Sequence, residues 1–178
     1  MRKLLLTLLV LLLAVPAVGA AALMRKTGDG TLSVEDGTGR VVLIARGGVI
    51  GRFDSGSVTI QDRTPNDAFE PKVWGATRLL GERVLGDPGE RWSGTNVRFR
   101  LIGGEFRIVI VGRGIDLSAV GNGNVFLEGE GRLPGVYSLD GEDCSGLRVK
   151  CKELPDPGKR FVLGEDAPDR GTPARPLP

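Results

Sequence analysis

Two segments of the chain match each other, and this internal repeat limits the folds available to it. A shift of 67 residues aligns 31–62 with 98–129 without a gap, and seven of the 32 aligned positions are identical. Apolar positions correspond along the whole alignment. Repeated units with apolar faces bury those faces against each other, so the two copies are expected to share one core with pseudo-two-fold symmetry.

The turn signals of the two copies also coincide. In the second copy, VRFRLI and EFRIVIV flank Gly103-Gly104; in the first, TLSVE and TGRVVLI flank Asp36-Gly37. Such pairs supply the positive φ that tight hairpin turns require. Each copy is therefore predicted to contain a hairpin, a connection through an Arg-Gly turn, and a third strand, which is SVTIQ or NVFLE.

The strand patterns predict an all-β domain over 27–154. The runs RVVLIA and RIVIV are apolar at successive positions, which is typical of strands covered on both faces. A β-sandwich or a closed barrel built from the duplicated three-strand unit satisfies this pattern. The intervening runs KVWGATRLL, ERVLG and ERWSG are expected to close the sheet edges. Residues 155–178 hold six of the 11 prolines and are predicted to be a largely disordered tail.

The N-terminus has the order of a secretory signal peptide. Arg2 and Lys3 precede LLLTLLVLLLAV, and Pro16 and the small residues AVGAAA follow, which predicts a signal peptide over 1–22. The alternative is an uncleaved membrane anchor, because 4–24 spans 21 residues and Arg25 and Lys26 lie just beyond it. Both interpretations place the protein outside the cytoplasm, in the extracellular space or cell envelope.

Removal of the leader changes the charge balance. The full chain has 24 Lys and Arg against 22 Asp and Glu, and loss of Arg2 and Lys3 leaves 22 of each. A formally neutral domain lacks the net basic character usual for nucleic-acid binding, so no nucleic-acid partner is expected.

Cys144 and Cys151 are the only cysteines, separated by SGLRVK. In an exported chain such a pair is predicted to form a disulfide. A free thiol pair or half of a metal site are the alternatives, and the absence of histidine and of further cysteines weighs against the metal site.

The absence of histidine removes the usual catalytic triads and the commonest metal ligand. A hydrolase that works with a carboxylate pair remains possible, with candidates Asp54, Glu105, Asp116 and Glu128. Most of these carboxylates flank glycines, where they ordinarily serve turns and solvation. The glycine motif GRGID at 112–116 and the acidic DGED at 140–143 are interpreted as a bend and a solvated turn rather than calcium sites. No catalytic residue, cofactor or metal is predicted.

Three arginines are the ligand-binding candidates. The predicted hairpin puts Arg100 opposite Arg107, with Arg98 two positions along, and opposed like charges destabilise a sheet unless something neutralises them. One hypothesis is that they bind an anionic cell-envelope polysaccharide through guanidinium forks. The other is that a neighbouring strand or the tail supplies carboxylates.

Three aromatic residues, Trp74, Trp92 and Tyr137, either form a platform for stacking sugars or belong to the core.

The stretches GGVIGRFDSGSVTI and SGTNVRFRLIGG with GIDLSAVGNG resemble a group of uncharacterised exported β-rich proteins of high-GC Gram-positive bacteria. The resemblance covers 28–138 and implies export and a β fold, but no activity. The sequence thus favours a non-enzymatic structural or binding module of the cell envelope, with a small polysaccharide hydrolase as the alternative.

Overall fold

A computed structural model describes residues 29–64, 70–79, 89–141, 144, 151–164 and 172–173. Within these residues the regular structure is all strand. The strands are β1 (Gly30–Asp62), β2 (Lys72–Leu79), β3 (Glu90–Gly129), β4 (Val136–Ser138), β5 (Lys152–Glu153), β6 (Lys159–Leu163) and β7 (Thr172–Pro173). The predicted leader lies outside the described residues, and none of those described forms a helix suited to crossing a bilayer.

All the strands belong to one antiparallel sheet that is not closed. Its order is β5-β4-β1-β3-β6-β7, and β2 pairs with β3 beside this path. The predicted all-β class is confirmed. Neither the predicted sandwich nor the predicted closed barrel is confirmed, because the described strands form neither two separate sheets nor a closed one.

The two long strands β1 and β3 pair with each other in two registers. Val41 pairs with both Ile110 and Leu127, and Ile110 pairs with both Val41 and Val58. The centre of each strand therefore has the other strand on both of its edges. Since strands twist with a fixed hand, two strands paired in this way curl the sheet around one of its faces.

The enclosed face of the sheet holds the core. Side chains alternate along each strand, so every second residue points inward. In β3, for example, Val97, Phe99 and Leu101 are buried while Arg98 and Arg100 are exposed. The largest fully buried side chains are those of Phe53, Phe99, Phe106, Leu32, Leu43, Ile108, Ile110, Ile115 and Leu127.

The predicted hairpins within each copy are wrong. Arg100 pairs with Ile50 and Lys72, and Arg107 pairs with Ile44 and Gln61, so both edges of each residue are occupied by other segments. Arg100 and Arg107 are not opposite each other. The long apolar runs of the two copies pair with each other instead.

The glycine pair at 103–104 forms a bulge rather than a turn. Arg46 pairs with Glu105 and Gly48 with Ile102, which leaves both glycines opposite the single residue Gly47. Their φ values of 83° and 72° lie in the left-handed region. A bulge requires the same backbone conformation as a tight turn, and it bends the strand without reversing it.

The C-terminal boundary also differs from the prediction. The β6 strand pairs with residues 123–127 of β3, and Phe161 and Leu163 are buried in the core. The ordered domain thus extends at least to Gly164, beyond the predicted end at 154, because these apolar residues cover the end of β3. Between the copies, β2 confirms the strand predicted at KVWGATRLL, ERWSG opens β3, and ERVLG lies outside the described residues.

The predicted disulfide is confirmed. Cys144 and Cys151 are bonded, with their Cα atoms 5.8 Å apart. Cys144 is fully buried and Cys151 directly precedes β5, so the bond ties the start of β5 to a buried position.

Candidate functional site

A groove of about 710 Å³ crosses the outer face of the sheet. Its first row of side chains runs over four neighbouring strand segments, since Trp74 pairs with Arg98, Arg98 with Arg52, and Arg52 with Asp116. Neighbouring strands lie about 4.8 Å apart, so these side chains are direct neighbours. The row therefore places an aromatic ring, two guanidinium groups and a carboxylate side by side.

A second row lies two residues further along the same strands. Lys72 pairs with Arg100, Arg100 with Ile50, and Ile50 with Ser118. Because period-two alternation points Val97, Phe99 and Leu101 into the core, Arg98 and Arg100 necessarily project outward together. The two rows give the groove a cationic side formed by β2 and the start of β3.

An ion pair closes the opposite side of the groove. The Arg52 guanidinium lies 2.6 Å from Asp116 Oδ2 and also donates to it through Nε at 2.7 Å. The backbone N–H of Asp36 donates to Asp116 Oδ1 at 2.9 Å. The hydrogen bond from Arg52 to Asp116, followed by the charge of Asp116, raises the pKa of Arg52. Both oxygens of Asp116 are thus engaged.

Arg98, Arg100 and Lys72 differ from Arg52 in this respect. Among the described residues, neither Arg98, Arg100 nor Lys72 forms an ion pair. Arg98 and Arg100 are exposed, and Lys72 is exposed as well. These three charges remain available to an anion from outside the domain.

Arg107, the third arginine predicted for the site, lies elsewhere. It is paired with Ile44 and Gln61, away from the groove. Partial burial lowers the pKa of Arg107, and the charges of Arg40 and Arg63 lower it further. The sequence analysis grouped it with Arg98 and Arg100 only because it assumed the hairpin.

Of the three candidate aromatic residues, one lies in the groove. Trp74 is 51% exposed, whereas Trp92 packs against the core and Tyr137 is buried against Phe161 with ring centroids 5.3 Å apart. The alternation in β2, with Val73 facing the core, was the sequence signal for an outward Trp74.

Of the four candidate catalytic carboxylates, Asp54 and Asp116 both act on the charge of Arg52, and the other two pair with different segments of the sheet. Asp116 bonds Arg52 in the groove, Glu105 bonds Arg63 at 3.0 Å, Glu128 is paired with Arg40, and Asp54 lies beside Gly114. Among the described residues, no three His, Cys, Asp or Glu side chains group closely enough to hold a metal ion. In the DGED segment, Asp140 accepts a hydrogen bond from the Ser138 hydroxyl, and 142–143 lie outside the described residues.

Two further cavities on the outer face occupy corresponding positions of the two copies. One, of about 370 Å³, is lined by Ser57, Thr59, Val109 and Val111, together with Arg40, Arg91, Glu128 and Glu130. The other, of about 30 Å³, is lined by Asn124, Phe126, Val42 and Ile44, together with Val125 and Arg160. Each of the first four residues of one set lies 67 positions from its counterpart in the other set. Phe126 thus replaces Thr59 in the smaller cavity.

Neither protein-family models nor curated proteins nor solved structures include a match to this chain. The groove is therefore interpreted from its own chemistry.

Proposed function

We propose that this protein is an exported, non-enzymatic binding module of the cell envelope, and that its outer-face groove binds an anionic polysaccharide. One observation carries the proposal: half-exposed Trp74 lies directly beside Arg98, with Arg100 and Lys72 in the next row. Three cations without an ion pair in the described structure thus adjoin an exposed indole ring.

The chemistry of this arrangement suits a charged sugar chain. An exposed indole offers a flat apolar surface on which the C–H face of a pyranose ring packs. Guanidinium groups bind carboxylate or phosphate through two parallel hydrogen bonds, and a lysine ammonium adds a point charge. Because the cations lie on adjacent strands and adjacent rows, a polymer with repeated anionic groups engages several of them at once.

A hydrolase is supported less well. Glycoside hydrolysis needs two carboxyl groups about 5–10 Å apart, of which one gives up a proton. Asp116 is the groove carboxylate closest to the arginines, and its two oxygens accept hydrogen bonds from Arg52 and from the Asp36 N–H. Asp116 thus holds Arg52 and the Asp36 backbone in place, a structural role that favours binding over catalysis.

We also propose that the sheet arose by duplication of one unit. Replacing each residue by its counterpart 67 positions away tests this relation. The pair Val41–Ile110 then becomes Leu43–Ile108, and the pair Val42–Val109 is unchanged. All three pairs occur in the sheet. In the second register, Val41–Leu127 becomes Ile60–Ile108, which also occurs. Both registers thus agree with a two-fold relation between the copies, and the paired cavities agree with it too.

Affinity electrophoresis of the full chain tests the binding proposal. Gels containing polygalacturonate are compared with gels containing neutral dextran. Retardation in polygalacturonate is expected, with Arg98→Ala weakening it about tenfold, which corresponds to about 1.4 kcal/mol. Arg113→Ala is the matched control, because Arg113 is exposed but lies outside the groove. Equal weakening by both variants, or equal retardation in dextran, would contradict a specific site.

A further inference from the structure

Three exposed apolar side chains form a patch next to the groove. Ile50, Ile102 and Val120 are 54%, 46% and 48% exposed. Gly48 pairs with both Ile102 and Val120, and Ile50 lies two residues further along β1 on the same face. Since Gly48 has no side chain, the three residues surround a shallow depression and project as one apolar patch, here called the Gly48 patch.

Basic side chains flank the Gly48 patch on two sides. Arg100 pairs with Ile50 and Lys72 pairs with Arg100, while exposed Arg46 precedes Gly48 by two residues on the outer face. Among the described residues, Arg46 and Arg100 form no ion pair. Aliphatic side chains bordered by arginines are the pattern of surfaces that rest at a bilayer interface, where the charges meet lipid phosphates.

The chain enters the domain beside this patch. Gly30 pairs with Gly121, and Thr31 pairs with Val120. In the sequence, the five residues 25–29 lie between the apolar segment 4–24 and Gly30. At about 3.5 Å per residue, those residues span at most about 20 Å. An apolar segment retained in a bilayer would therefore hold this edge of the sheet at the membrane surface.

We propose that the Gly48 patch rests on an anionic lipid surface. Ile50, Ile102 and Val120 enter the boundary between headgroups and acyl chains, and Arg46 and Arg100 meet the phosphates. This inference goes beyond the proposed function, because it concerns a lipid surface and adds Ile102, Val120 and Arg46, although the patch shares Ile50 and Arg100 with the groove.

Fluorescence quenching tests the contact in the full chain. A tryptophan is introduced as Ile102→Trp or, as a matched control, as Val162→Trp, each in a Trp74→Phe background. Val162 is 48% exposed and lies on β6, away from the patch. The chains are reconstituted with phosphatidylglycerol vesicles whose acyl chains carry bromine, which quenches nearby indoles. Trp92 is present in both proteins, so the difference between them isolates the introduced residue.

We expect roughly threefold stronger quenching at position 102 than at 162, because interfacial residues enter about 5–10 Å into the lipid. Ile50→Ser with Val120→Ser should abolish the difference, and both sites are exposed, so circular dichroism should show the fold retained. Equal quenching at both positions in phosphatidylglycerol overturns the inference, as does an undiminished difference in purely zwitterionic vesicles.

Retention in polygalacturonate gels separates this inference from the proposed function. The variant Val120→Asp, made in the Ile102→Trp chain with Trp74 kept, places a carboxylate in the Gly48 patch and changes no residue that lines the groove. Retained glycan binding with lost quenching supports two distinct surfaces. Quenching that persists in a chain without glycan retention overturns the glycan proposal alone.

Discussion

Val42 of β1 pairs directly with Val109 of β3, and the two residues are 2% and 5% exposed although they lie on the outer face of the sheet. They lie 67 residues apart, at aligned positions of the segments 31–62 and 98–129. Any two-fold axis relating the copies passes through this pair, so both valines should meet similar surroundings.

Truncation of these valines tests that symmetry. Val42→Ala and Val109→Ala each remove two methyl groups and should lower the free energy of unfolding by about 2 kcal/mol. Similar environments predict that the two losses differ by less than about 0.5 kcal/mol. Urea denaturation of the two variants and the double variant measures the losses and their coupling. A large inequality would contradict equivalent environments.

The two corresponding cavities differ at Thr59 and Phe126, and exchange of these side chains should lower stability by unequal amounts. Phe126→Thr should destabilise the domain by about 2–3 kcal/mol, because it removes an aromatic ring packed beside Val42. Thr59→Phe should cost less than about 1 kcal/mol, since a cavity of about 370 Å³ is available to receive the ring. Thermal denaturation of both variants checks the order, and a reversed order would show that the cavities are not equivalent.

The bulge at 103–104 should depend on glycine. Gly103→Ala should cost about 1–2 kcal/mol, because its φ of 83° is unfavourable for a residue with a Cβ. Gly48→Ala is the control: the nearest atom to a Cβ there is Leu101 O at 3.7 Å, so little loss is expected. Chemical denaturation compares the two, and equal losses would indicate that the bulge is not what requires glycine.

The charges around Arg107 should make stability depend on salt. Burial lowers the pKa of Arg107, and the charges of Arg40 and Arg63 lower it further. The charged guanidinium therefore reduces the stability of the folded state at every pH below this lowered pKa. The loss of stability is relieved only when the pH rises through that pKa. Salt screens the repulsion from Arg40 and Arg63. Arg107→Gln should therefore reduce the rise in Tm between low and high salt, whereas Arg113→Gln should leave it unchanged. An equal response of both variants would contradict this origin.

The faces of the strands were predictable from sequence, but their partners were not. Alternation in VRFRLI is enough to place Phe99 in the core and Arg98 outside. The pairing of strands could not be predicted in the same way, because the partners of Arg100, Ile50 and Lys72, belong to segments distant in the sequence. The Gly103-Gly104 pair indicates a left-handed backbone conformation, which occurs both in a β-bulge and in a hairpin turn. Because the pair was interpreted as a hairpin turn, Arg107 was wrongly predicted beside Arg100, and the row formed by Trp74 and Arg98 was not predicted.

The double register of β1 and β3 has a consequence for the order of folding. The described partners of β1 all belong to β3 and β4. The paired residues are therefore far apart in the sequence, by 30 positions in Ile60–Glu90 and by more than 80 in Val41–Leu127. Sheets built from such distant contacts fold slowly. Since synthesis begins at the N-terminus, β1 is complete before its main partner β3 exists. Residues 30–62 thus gain their sheet partners only when residues 90–129 and 136–138 are also present.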